Sequence, residues 1–202
     1  HWTSFDNDNS IWFEETIFFN EIINFKASDN LSQRETLINI LHEASLLNAD
    51  FLISSLGYSI STALTFPKLW GLGTSSTLIN NIAQWLQIDA FKLLKNSFGG
   101  SGYDIACAQN NTTILYQLKN GLPIVEKVNF NPKFSKNMYF VYLNKKQSSK
   151  TAIENYYKSK KNLDIDFPII NEITLAVLNS NSLEEFSELL FKILSAKQNF
   201  RF

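Results

Sequence analysis

The chain has 202 residues, with 18 basic against 19 acidic side chains and a formal net charge of -1. Hydrophobic residues make up 45%, which excludes intrinsic disorder and supplies a core for one domain, or one domain with a smaller satellite. One cysteine and two histidines exclude a disulfide framework, a thiolate zinc site and histidine-based triad chemistry.

Trp2 to Phe5 and Ile11 to Phe19 are apolar and aromatic, and Asp6-Asn7-Asp8-Asn9 between them predicts a hairpin turn. Ser32-Gln33-Arg34-Glu35 matches a capping box, and Leu37, Ile38, Leu41, Ala44 and Leu47 recur at helical spacing behind it. That predicts a helix over 33–47. Residues 51–67 carry no charge, but Ser54, Ser55, Gly57, Ser59, Ser61 and Thr62 make them too polar for a membrane span. Two buried strands, 50–56 and 58–66, are expected instead.

Pro67 closes the second strand, and the first glycine loop follows at Gly71 to Thr77, where a helix is expected to begin and run through Ile79, Ile82, Ala83 and Leu86. Asp89 should cap another over Ala90 to Asn96, followed by Gly99-Gly100 and a short helix from Tyr103 to Gln109. Strands at 112–118 and 122–130 meet across Asn120-Gly121. Beyond Asn131-Pro132 a buried strand is expected over Met138 to Leu143, then helices near 149–160, 168–179 and 183–196. Ser182 with Glu185 gives a second capping box. This order predicts an α+β chain with one candidate boundary near Asn131.

Five of the seven glycines fall in two short loops, Gly71 with Gly73 and Gly99, Gly100 with Gly102. The first, Gly71-Leu72-Gly73-Thr74-Ser75-Ser76, stands between a strand and a helix. A helix N-terminus presents unpaired N–H groups and the positive end of a dipole, which suits a phosphate. Thr74, Ser75 and Ser76 add hydroxyls able to donate to phosphate oxygens or to ligate magnesium. The loop is not a P-loop, because no Gly-Lys-Ser/Thr follows. Taken alone it fits equally a strand-to-helix turn with Ser and Thr as caps. In the second loop, Gly100-Ser101-Gly102 precedes Asp104. A carboxylate there could accept or orient a substrate proton, or merely cap the next helix.

Together the two loops are recognisable. Gly71-Leu72-Gly73-Thr74-Ser75-Ser76 looks like the Gly-Leu-Gly-Ser-Ser-Ala phosphate motif of the GHMP small-molecule kinases. Ser101-Gly102-Tyr103-Asp104-Ile105-Ala106 resembles the Ser-Gly-x-Asp motif of the mevalonate and phosphomevalonate kinase branch. Gln147-Ser148-Ser149-Lys150-Thr151-Ala152 is similar to that branch's Ser-Thr-Lys-Ala stretch. The resemblance runs over about residues 50–195, most of the chain.

The resemblance implies a two-lobed fold: a nucleotide-binding part over 1–130 like ribosomal protein S5 domain two, and a partial ferredoxin-like part over 131–202. It implies ATP and magnesium as cofactors, with the phosphates on Gly71 to Ser76, Ser75 near the metal and Asp104 as the catalytic aspartate. Gly100, Ser101 and Gly102 would form the substrate loop, and Lys150 would contact an anionic group. The acceptor would be a mevalonate- or phosphomevalonate-like small molecule; the alternative is a nucleotide-binding homologue with weak or no catalysis.

There are departures from the family pattern. Leu69 and Trp70 replace small residues, and Ser76-Thr77 replace the usual alanines. The magnesium-binding glutamate that many relatives carry eleven residues before the aspartate is here Leu93. The family's early strand motif and C-terminal glycine-rich motif are missing, so the chain is expected to be truncated at both ends.

The remaining features favour plain readings. The lysines at 145, 146, 150, 158, 160 and 161 fit a solvated helix face. The four tryptophans fit core or rim packing, with Trp70 bordering the phosphate loop. Cys107 fits a buried structural thiol and His42 a boundary position. Only two arginines are present and no face is basic, so no nucleic-acid partner is expected, and no membrane partner either. A soluble cytoplasmic protein is the default expectation.

Overall fold

The structure, a computed structural model, describes residues 1–142 and 167–198. The fold class is mixed α+β. Two compact units divide the chain, His1–Val128 and Asn129–Phe202.

The first unit opens with the hairpin β1 (Trp2–Phe5) and β2 (Ile11–Glu15), paired antiparallel with Trp2 opposite Glu15. The turn closes through the Asp6 side chain and backbone, with Asp6 N–H on the Ser10 carbonyl at 2.8 Å. β3 (Ile60–Ala63) adds to the other edge of β1 in parallel, giving the order β2-β1-β3. Where a second strand was expected, at 50–56, the chain curls into turns instead. The Asp50 carbonyl accepts from both Ile53 N–H (3.2 Å) and Ser54 N–H (2.9 Å). Phe51 alone of that run goes fully into the core, while Ile53 and Leu56 face solvent. An apolar run of that length does not distinguish strand from turn.

Helices α1 (Phe19–Ile23) and α2 (Gln33–Leu47) follow the hairpin. The strand expected to reach Phe19 stops at Glu15, and the short α1 starts at Phe19, where no helix was expected. At its start the Glu21 carboxylate takes the Phe18 N–H at 2.8 Å and the Arg34 guanidinium at 2.6 Å. The box that opens α2 is complete: Glu35 N–H donates to Ser32 Oγ at 3.2 Å and Ser32 N–H to Glu35 Oε2 at 2.8 Å. The apolar stripe Leu37, Ile38, Leu41 and Ala44 is buried, as helical spacing requires.

Next come α3 (Thr74–Leu86), α4 (Ala90–Ser97) and α5 (Tyr103–Ala108), and then the hairpin β4 (Ile114–Lys119) with β5 (Leu122–Lys127). Asn120 and Gly121 both adopt positive φ, 53° and 75°, the turn geometry that Asn-Gly favours. Helices α2, α3 and α4 pack around one core that contains Ile40, Ile79, Ile82, Leu93 and Ile105. Asp89 caps α4, accepting from Phe91 N–H at 2.8 Å and Lys92 N–H at 3.2 Å. Asp89→Ala should therefore lower stability by about 1 kcal/mol, read as a shift of the urea midpoint at unchanged slope.

In the second unit, Lys133–Asn137 forms a 3₁₀ turn, and α6 (Phe167–Asn179) and α7 (Leu183–Gln198) form a helical pair. Glu185 N–H donates to Ser182 Oγ at 3.1 Å, but the Glu185 carboxylate reaches Asn181 N–H (3.0 Å), one residue earlier than expected. Residues 138–142 are not a buried strand. Met138, Tyr139, Phe140 and Val141 are exposed. The expected helix at 149–160, the Ser148-Ser149-Lys150 motif and the lysine run from 145 to 161 lie outside the described residues. Among the described residues no helix is long and apolar enough to cross a membrane.

Candidate functional site

The approach to the first glycine loop is fixed to the hairpin. Pro67 leads into a 3₁₀ turn over Lys68–Trp70, and the Lys68 N–H donates to Asp6 Oδ1 at 3.0 Å. The Lys68 ammonium sits 4.8 Å from the Trp12 ring, a cation–π contact. Trp70 and Leu72 stand partly exposed at the loop rim.

Gly71 and Gly73 both take the left-handed conformation, and Gly73 is the N-cap of α3. No side chain caps the helix. Thr77 is exposed, and its N–H and Oγ1 both donate to the Gly73 carbonyl, at 3.0 and 3.2 Å. The first-turn N–H groups of Thr74, Ser75 and Ser76, and their three hydroxyls, bond to nothing among the described residues. This differs from the plain reading of the loop, in which Ser and Thr would cap their own helix.

The second loop reaches the same place. Helix α5 packs along α3, and Gln109 Nε2 donates to the buried Asn80 Oδ1 at 3.2 Å, tying its end to the middle of α3. Its first turn then carries Asp104 against Gly73. A Cβ placed on Gly73 would lie 3.8 Å from Asp104 Cγ and 3.9 Å from Oδ2. Asp104 is not the cap of α5, a place held by Gly102, and its exposed carboxylate has no hydrogen bond or ion pair among the described residues. Near a helix N-terminus that charge is stabilising by about 0.3–1 kcal/mol.

The loop before Asp104 is held from beneath by residues that sequence reasoning passed over. Gly102 is buried, and a Cβ on it would lie 2.9 Å from Phe91 Cδ1 and 3.2 Å from the Tyr116 hydroxyl. Tyr116 on β4 donates its hydroxyl to the Ser101 carbonyl and meets the Tyr103 ring edge-on at 5.6 Å. Neither Phe91 nor Tyr116 carries a local signal, since each reads simply as part of a helix or strand. A hydrogen bond to Cys107, then burial, then charge on Cys107 and Asp104, hold the Tyr103 hydroxyl above its ordinary pKa. Burial does the same for Tyr116.

Cys107, expected buried, is exposed, because α5 turns Ile105 and Ala106 to the core and Cys107 away from it. Leu93, at the position of the family's metal-binding glutamate, is fully buried in the core. Among the described residues no group of three or more His, Cys, Asp or Glu could hold a metal ion. The donors present are therefore hydroxyls and one carboxylate, a set that fits an ion carried in by nucleotide phosphates rather than a protein-only cage. Lys150 lies outside the described residues.

Comparison of the chain with protein-family models, curated proteins and solved structures finds no match.

Proposed function

We propose that the chain is an ATP-dependent kinase of the GHMP type that transfers the γ-phosphoryl group to a mevalonate- or phosphomevalonate-like acceptor. The observation that carries this reading is the approach of Asp104 to Gly73, which sets a carboxylate beside a cradle of unpaired amides and hydroxyls. The chain is mixed α+β, the class to which the two-lobed GHMP architecture belongs; in that architecture the first part would hold the nucleotide and the second would be ferredoxin-like.

In this mechanism the Thr74, Ser75 and Ser76 amides hold phosphate oxygens at the positive end of α3. Asp104 accepts or orients the acceptor proton, and Gly100, Ser101 and Gly102 shape the acceptor's side. A phosphate seated there would stand close to the Asp104 carboxylate, and like charges so placed repel. Magnesium, held by Ser75 and the phosphates themselves, would supply the neutralising charge when bound. Catalysis is then mainly positioning and electrostatic stabilisation, as in phosphoryl transfer generally. Both reactants are small and soluble, and the cytoplasm is the proposed compartment.

A second reading is a nucleotide-binding homologue without catalysis, acting as a regulatory or binding module. Its support is Leu93, an apolar core residue where many GHMP kinases carry an acidic magnesium ligand. Calorimetry with Mg–ATP, followed by a phosphate-transfer screen over mevalonate, phosphomevalonate and other small alcohols, separates the two. The kinase reading expects saturable binding in about the 1 μM–1 mM range and turnover of one acceptor. Binding without turnover favours the module, and absence of nucleotide binding removes both.

A further inference from the structure

We infer that Tyr116 is a positioning residue that latches the second glycine loop and so sets the place of Asp104 opposite Gly73. The inference rests on the kinase reading for its catalytic consequence, but the latch itself is geometric. Tyr116 meets the residues just before the aspartate. Its hydroxyl donates to the Ser101 carbonyl and would lie 3.2 Å from a Cβ on Gly102, and its ring meets Tyr103 edge-on at 71°. Phe91 closes the other side of Gly102. The loop therefore rests on a strand and a helix, and the first turn of α5 inherits its position from them.

Tyr116 suits the role chemically. It lies half-buried on β4, and burial raises its hydroxyl's pKa, so it remains a neutral donor across the working pH range. The acceptor is a backbone carbonyl, so the bond fixes the chain path rather than one rotamer. A phenylalanine would keep the ring contact with Tyr103 and lose only the donor. An aspartate displaced by a fraction of an ångström from its acceptor loses rate without losing nucleotide, because the phosphate cradle belongs to α3.

The test compares Tyr116→Phe, Asp104→Asn and the double variant with the unsubstituted 202-residue chain. Amide hydrogen exchange is followed alongside kinetics with Mg–ATP and, as acceptor probes, mevalonate and phosphomevalonate. Tyr116→Phe should speed exchange at least about tenfold at Tyr103 and Ala106, whose N–H groups rest on Ser101 Oγ (3.3 Å) and the Gly102 carbonyl (3.0 Å), and leave the Ile79 to Leu86 amides of α3 unchanged. Turnover should fall about tenfold while Mg–ATP affinity stays within about twofold. In the Asp104→Asn background the Phe substitution should cost nothing further, because the latch acts through Asp104. Unchanged exchange at Tyr103 and Ala106 overturns the latch. A rate loss that persists in full in the Asp104→Asn background, or an equal loss of ATP affinity, overturns the positioning role. Absence of turnover on both acceptors in the unsubstituted protein also overturns that role. Absence of Mg–ATP binding there overturns the kinase reading itself, whatever the exchange shows.

Discussion

Asp104→Asn protein should bind Mg–ATP about as tightly as the unsubstituted chain and transfer phosphate about 10²–10⁴-fold more slowly to an alcohol acceptor. The substitution keeps size and shape, so the approach to Gly73 survives, but an amide cannot take the acceptor proton. If the acceptor is itself a phosphate, no strong base is required, and the loss should shrink to about tenfold. Steady-state kinetics on both acceptor classes, with calorimetry for the nucleotide, reads the two numbers separately. Undiminished transfer would remove Asp104 from the chemistry. A parallel loss of ATP affinity would instead make it part of the binding surface.

The largest stability effect should come from Gly102→Ala. Gly102 holds φ at 81°, where an alanine is strained by about 1–2 kcal/mol. Its new Cβ would also meet Phe91 Cδ1 at 2.9 Å and the Tyr116 hydroxyl at 3.2 Å, and overpacking of that kind costs about 1–3 kcal/mol. A total of about 2–5 kcal/mol is expected, measured as a fall in the urea midpoint. Gly100→Ala is the internal control: its φ is 102°, but nothing lies within 4 Å of a Cβ there. Only the backbone strain should appear at Gly100. Equal losses in the two proteins would mean that Phe91 and Tyr116 do not support the loop.

Much of the local architecture was legible because it depends on neighbours in sequence. Ser32 with Glu35, Asp89 before α4, and Asn120-Gly121 each satisfy their own backbone groups within a few residues, and each appears where its chemistry requires. The segment 50–56 was not legible, because its apolar residues fit a buried strand as well as the turn that Asp50 closes. Residues 138–141 are apolar enough to suggest burial, yet they are exposed, because composition does not say which side chains tertiary packing covers. The five-residue α1 is too short to show a helical period. Cys107 was misread because apolar neighbours say nothing about which face of a short helix turns inward.

By itself the sequence determined the two glycine loops, the hydroxyl run of Thr74 to Ser76, the placing of Asp104 just beyond the second loop, and the caps that start α2 and α4. Tertiary structure alone decided that the loops meet, with Asp104 against Gly73 and Gly102 seated on Phe91 and Tyr116. It also decided that Leu93 belongs to the core and not to a metal site. The physical reason is that a cap or turn is closed by atoms a few residues apart. The meeting of residues 73 and 104 depends instead on how α5 packs along α3, a contact set by complementary side chains that no local preference encodes.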